Sequence, residues 1–270
     1  MSKKTVFIIS TLTAAAIFSA VLLWRYVYPK DTLYYAGPIT LEFLAQVETF
    51  PQDKLKHIVI DSLGGEYSIA LDVANIIQTN DTQINVDGYC ISACASIILP
   101  AGKNNIVKKG SLVAFHNLPG LWFYLDKFTK AEYQLSLEND PVYSDSKLTV
   151  DLYKKAHINP DIFVALALGK GVVCLGVDKE APAGRSRTFV RFSSDLYIPN
   201  KHIFDQFGWK FEELHLPTDE AEVEKLIAKL RPANPELSYK LEAESFKFPG
   251  LFFMGNLGFT HFADCGDEAA

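Results

Sequence analysis

The chain has 270 residues, room for one substantial domain with appendages and too few for two large ones. Its 49% hydrophobic and 21% charged content is that of a globular protein. A net charge of −6 excludes the cationic footprint that a nucleic-acid partner requires.

Thr5 to Trp24 carries no charge, and its 20 residues (24 − 5 + 1) would span roughly 30 Å as a helix. Trp24, Tyr26 and Tyr28 follow, as an aromatic belt at a membrane interface would. Phe18-Ser19-Ala20 could serve as a signal-peptide cleavage site, but Val21-Leu22-Leu23-Trp24 extends the apolar run past it, so an uncleaved single-pass anchor is favoured. Lys3 and Lys4 before the run and Arg25 and Lys30 after it leave a small charge bias. A short basic N-terminus places that end inside and exports the rest. The expected location is the inner (cytoplasmic) membrane, with the domain on its extracytoplasmic, periplasmic side.

Tyr28 to Gly37 reads as a linker. His57-Ile58-Val59-Ile60-Asp61 is a buried strand running into the turn Ser62-Leu63-Gly64-Gly65. Ile69, Val73, Ile76 and Ile77 recur at helical spacing between Glu66 and Gln78. Gln83 to Asp87 is a second strand, followed by Gly88 and a short helix from Ser92 to Leu99. Lys103 to Lys109, the only basic run, reads as a solvated turn. Leu112 to Phe115 is a strand with His116 at its exit.

Pro119 to Asp145 is rich in aromatics without a clear period and reads as a long excursion, either a lid or a loop with its own apolar cluster. Helices are expected at Leu148–Ala156, Asp161–Leu168, His202–Phe207 and Asp219–Leu230, and strands at Val172–Leu175 and Thr188–Phe192. The tail from Pro232 is too apolar for a disordered segment. Strand–helix–strand alternation predicts an α/β domain with largely parallel strands. The expected division is an anchor at 1–30, a catalytic domain at 31–212, and a C-terminal helix with apolar tail at 213–270.

A nucleophilic serine needs a base, a group to orient the base, and N–H donors for the oxyanion. Ser92 opens a helix, which puts the Ala93 amide and the positive end of the helix dipole beside its hydroxyl. Gly64 and Gly65 allow a second amide to approach closely. Each feature alone is common: such serines are usually N-caps and such glycines usually turns. Cys90, Cys94, Cys174 and Cys265 have no zinc-site spacing. Cys90 and Cys94, four apart, read either as a disulfide in an exported domain or as two buried thiols.

The order Ile60-Asp61-Ser62-Leu63-Gly64-Gly65, Gly88-Tyr89-Cys90-Ile91-Ser92-Ala93, Ala101-Gly102 and Ala114-Phe115-His116-Asn117 resembles the ClpP/crotonase superfamily. It is most similar to Clp protease proteolytic subunits and exported relatives of them. Leu63 stands where that family has proline, which should alter rigidity more than donor geometry. The resemblance spans about Leu55 to Trp209. It implies a β-β-α superhelix, a serine hydrolase of peptidase type, and homo-oligomers. It also implies a peptide or protein substrate and no cofactor or metal.

By the same resemblance Ser92 is the nucleophile, His116 the base, Gly64, Gly65 and Ala93 the oxyanion hole, and Asp195 of Ser194-Asp195-Leu196-Tyr197 the third triad member. Asp161 and Asp140 remain substitutes for Asp195. Some membrane-associated relatives use a serine–lysine dyad, for which Lys127 and Lys130 are the candidates. Two other classes stay open: an inactive scaffold that keeps the fold for binding near the membrane, and acyl-CoA chemistry, which an exported location disfavours.

Overall fold

The computed structural model describes residues 30–116, 118–133, 136–138, 141–169, 172–177, 188–192, 196–230 and 263–264. In chain order the first half contains β1 (Thr32–Ala36), α1 (Leu41–Thr49), β2 (His57–Ser62), α2 (Tyr67–Thr79) and β3 (Gln83–Ile91). A π-helical stretch Cys94–Ile98 then runs into the α-helical Leu99–Ala101, together α3, followed by β4 (Asn105–Val107) and β5 (Leu112–Ala114). The second half contains α4 (Leu121–Tyr133), α5 (Pro141–Lys155), α6 (Ile162–Gly169), β6 (Val172–Val177) and β7 (Thr188–Phe192). It ends with α7 (Lys201–Gln206), β8 (Phe211–Leu214), α8 (Glu220–Leu230) and β9 (Ala263–Asp264).

The main sheet is parallel throughout, in the order β1-β2-β3-β4-β8, with β5 paired to the far end of β3. Parallel neighbours need a crossover, and α1, α2 and α3 supply the first three. A smaller sheet pairs β6 antiparallel to β7 and parallel to β9. The chain is therefore the mixed α/β protein with a parallel sheet that the strand–helix alternation predicts.

Burial explains the arrangement. Ile58, Ile60, Ile84 and Val86 are fully buried in the centre of the sheet. On α2 the buried set is Ile69, Ala70, Val73, Ala74 and Ile77, one stripe of a 3.6-residue period. A second cluster joins Ile91, Leu112 and Ala114 to Leu196, Ile198, Val223, Leu226 and Ile227, so α8 covers the sheet where β5 joins β3. The Tyr89 hydroxyl donates to the Leu226 carbonyl at 2.8 Å and ties that helix down. The expected boundary at 212–213 falls inside β8, and α8 belongs to the packed body.

Three segments differ from the sequence reading. Thr32–Ala36, within the expected linker, is an edge strand. The basic run holds β4, with Lys103 and Lys108 turned outward to Asp81 and Asp87 at 2.9 and 2.7 Å. The aromatic excursion contains α4 and the first turns of α5. Among the described residues no helix is long and apolar enough to cross a membrane. The expected anchor, Thr5 to Trp24, lies outside them, as does the apolar tail around Phe246 to Met254.

Candidate active site

The site is built on a register slip. His57 pairs with Gln83, 26 residues on, but Ser62 pairs with Cys90, 28 residues on. On its other side β3 changes partner at the same level: Val86 pairs with Val107 of β4 and Tyr89 with Leu112 of β5. From Val86 to Cys90 β3 uses four residues where β2, from Ile60 to Ser62, uses two, so two extra residues of β3 bulge out at this level and bend the strand locally.

Asp61 stabilises the bulge. Its Oδ1 accepts the Tyr89 N–H at 2.8 Å, and its carboxylate fills the space a Cβ on Gly88 would need, 2.5 Å from that position. Gly88 has φ +135° and donates its N–H to Ser111 Oγ at 3.1 Å. Asp61→Ala should therefore orphan the Tyr89 amide and cost about 1–3 kcal/mol in urea denaturation of the full chain in detergent. Asp61→Asn, which keeps an acceptor oxygen, should cost less than half of that.

Beyond the bulge β3 ends at Ile91 and the chain reverses at Ser92. Ser92 has φ +57°, the left-handed conformation that a side chain with a Cβ rarely adopts. Its N–H donates to the Ala114 carbonyl at 3.1 Å, and its carbonyl accepts the Ser96 N–H and hydroxyl, each at 2.9 Å. From Cys90 to Ala101 every residue except Ser92 is buried. The turn thus lifts one hydroxyl out of an otherwise closed segment. Cys90 and Cys94, on either side of it, are joined by a disulfide with Cα atoms 5.1 Å apart.

Gly64 lies directly against this turn. A Cβ placed on it would stand 2.7 Å from the Ile91 carbonyl oxygen, 2.7 Å from Ser92 Cβ and 3.1 Å from the Ala93 nitrogen. Ser62 Oγ accepts the Gly64 N–H at 3.2 Å and closes the turn. Gly65 forms a parallel bridge to Ile39, in which the Ile39 N–H donates to the Gly64 carbonyl and the Glu66 N–H to the Ile39 carbonyl, both at 2.9 Å. In such a bridge the N–H of Gly65 itself faces away from Ile39, toward the side on which β3 lies. Among the described residues no acceptor meets that N–H, and Ala93 is the N-cap of α3, where the amide lacks an intrahelical acceptor. Gly64 therefore meets Ser92 and Ala93, with Gly65 the next residue along the chain.

His116 follows directly. β5 runs beside β3 with Ala114 opposite Ile91, so Ser92 stands level with Phe115, and half-buried His116 is the next residue. Phe115 is fixed on its other side by Tyr197, with reciprocal hydrogen bonds of 2.8 and 2.9 Å. Asp195, two residues before Tyr197, lies outside the described residues, as does Asp140.

The substitutes fare differently. Asp161 is engaged by the Tyr124 hydroxyl, whose pKa is raised by burial and then by that carboxylate. Lys130 is held between Asp126 at 2.8 Å and Glu138 at 2.9 Å, which push its pKa up, opposite to what a lysine base requires. The Lys127 side chain lies outside the described residues.

No family model and no curated protein matches the chain. Among solved structures it is similar to a mutant of ClpP1 from Listeria monocytogenes, at 12% identity and a TM-score of 0.40, covering 74% of this chain and 99% of that one. It is also similar to a mutant of the 1510-N membrane-bound stomatin-specific protease in complex with a substrate peptide. That likeness has 14% identity and a TM-score of 0.28, covering 43% of this chain and 64% of that one.

A polar cleft of about 570 Å³ opens elsewhere, between Gln78, Lys103, Lys155, His157 and Trp209, and includes none of the residues that converge on Ser92. Among the described residues no cluster of histidine, cysteine and carboxylate side chains could hold a metal. Asp61, Ser62, Ser96 and Ser111 are positioning residues that motif reasoning passed over. Only the Asp61-Ser62 dipeptide before the glycines marked any of them in the sequence.

Proposed function

We propose that the chain is a membrane-anchored serine hydrolase of peptidase type, built on a ClpP/crotonase-like superhelix and working outside the cytoplasm. The observation that carries this reading is the contact of Gly64 with Ser92 and the Ala93 amide, beside a serine held at φ +57°. A left-handed serine that stays partly open within a buried segment fits a functional site, where such conformations concentrate.

In the reaction His116 takes the Ser92 proton as Oγ attacks the substrate carbonyl carbon, and the Gly65 and Ala93 amides hold the resulting oxyanion. His116 returns the proton to the leaving amine as the C–N bond breaks. Water, deprotonated by the same imidazole, then releases the acyl group and regenerates the hydroxyl. Asp195 orients the imidazole. Peptide selectivity rests on the likeness of residues 60–117 to Clp proteolytic subunits. Export rests on the uncharged run Thr5 to Trp24 and on the Cys90–Cys94 disulfide, a bond of oxidising compartments. Homo-oligomers follow from the same likeness.

Fluorophosphonate labelling of the full chain in detergent tests this reading, with the adduct located by mass spectrometry. The expected adduct is on Ser92, and it should disappear in Ser92→Ala. Folded protein that gives no Ser92 adduct would instead be a scaffold.

A further inference from the structure

We propose that forming the Cys90–Cys94 disulfide is the maturation step of the nucleophile, so that the chain becomes competent only after it meets an oxidant. The inference rests on Ser92 being the nucleophile.

Three observations meet in five residues. Cys90 is the second-last residue of β3 and Cys94 the first of the π-helical stretch, so the bond spans the strand-to-helix reversal. Four extended residues would separate their Cα atoms by about 13 Å. The bond holds them at 5.1 Å. Closing that distance requires a sharp turn between them, and the left-handed residue that makes it is Ser92, the middle residue of the loop. The bond thus bears on the backbone angle that aims the hydroxyl.

Hydrogen bonds hold the same residue, through Ala114 to its N–H and Ser96 to its carbonyl. They fix its two ends to different elements, β5 and α3. The disulfide adds a covalent cross-link between the residues on either side of the turn, Cys90 and Cys94. Cys90 and Cys94 are positioning residues, acting through Ser92 without touching substrate.

The chemistry is a two-electron exchange. A Cys90 or Cys94 thiolate attacks a small disulfide such as oxidised glutathione and expels one glutathione thiolate. The second cysteine then displaces the other. The two protein thiols lose two electrons and two protons, and oxidised glutathione becomes two thiols. Both sulfur-bearing residues are fully buried in the product, so a reductant has no line of attack while the turn stays folded. The step therefore works in one direction: the turn is set on oxidation and is not a reversible switch.

The test uses the full chain in detergent, prepared under reducing conditions with its thiols counted by mass spectrometry, before and after oxidised glutathione. Fluorophosphonate labelling should be slower by on the order of 10- to 100-fold in the reduced chain and recover on oxidation. Because the chain has two further cysteines, Cys174 and Cys265, the variant Cys90→Ala/Cys94→Ala isolates the bond. It should stay slow after oxidation while unfolding cooperatively in urea.

Selective ¹³C labelling of serine supplies a readout that needs no activity. The Ser92 Cα and Cβ shifts should report left-handed backbone in the oxidised chain, and averaged backbone in the reduced chain and the variant. Equal labelling rates with unchanged Ser92 shifts would overturn the proposal. If the oxidised chain never labels, the hydrolase reading fails, and the carbon shifts still decide whether the bond sets the turn.

Discussion

Replacing Gly64 with alanine is expected to abolish fluorophosphonate labelling and to destabilise the full chain by about 2–5 kcal/mol. Two costs combine. Gly64 has φ +96°, which an L side chain rarely adopts, and its new Cβ would meet the Ile91 carbonyl oxygen and Ser92 Cβ at 2.7 Å. Neither contact can be relieved by rotating a flexible side chain, because one atom is backbone and the other is the first carbon of Ser92. The turn must move away from α3, and the Gly65 and Ala93 amides separate.

Gly110 supplies the control: its φ is +85°, yet a Cβ there meets nothing within 4 Å. Gly110→Ala should cost only the conformational part, about 1–2 kcal/mol, and leave labelling intact. Urea midpoints and labelling rates for the two variants check the pair. Equal losses of stability, with labelling preserved in both, would mean that the contact of Gly64 with Ser92 is not part of a site.

How far the sequence foretells this architecture depends on how cleanly each segment separates polar from apolar. The runs at 57–61 and 66–78 sit over a continuous core, and their periodicity is direct. β1 was hidden because it is an edge strand whose only buried side chain is Tyr35, which leaves no alternation to detect. β4 was hidden because three residues between lysines carry no period. In α4 the cause is different: alongside Leu121 and Leu125 the buried residues include Asp126 and Thr129. Asp126 is buried because it pairs with Lys130 and accepts the Leu137 N–H at 2.7 Å, a tertiary arrangement that hydrophobic periodicity cannot register.

The site divides in the same way. That Gly64, Gly65, Ser92 and Ala93 belong together was legible from the order of short motifs. What brings them into contact was not: the two-residue slip, the Asp61 carboxylate under Gly88, and the left-handed angle at Ser92 are relations between strands. Nor could spacing alone decide whether Cys90 and Cys94 were bonded or merely buried.

The Ser92 backbone angle leads to the last expected result, a comparison of two substitutions that both remove the hydroxyl. Ser92→Ala and Ser92→Gly should each lose turnover by about 10⁴- to 10⁶-fold, the scale on which removing a serine nucleophile acts. Their stabilities should differ in the opposite sense to the usual preference for alanine. In most positions glycine is the less stable, because it gives up more backbone freedom on folding. At φ +57° alanine retains the clash between Cβ and backbone that disfavours left-handed residues, and glycine does not.

Ser92→Gly should therefore be more stable than Ser92→Ala by about 1 kcal/mol, read from urea midpoints of the full chain in detergent. That ordering would mean the folded protein bears a conformational cost at the residue it needs for chemistry, as strained catalytic positions do. If alanine proved the more stable, Ser92 would be relaxed in solution. The turn would then be an ordinary helix start, and the case for a nucleophile would rest on labelling alone.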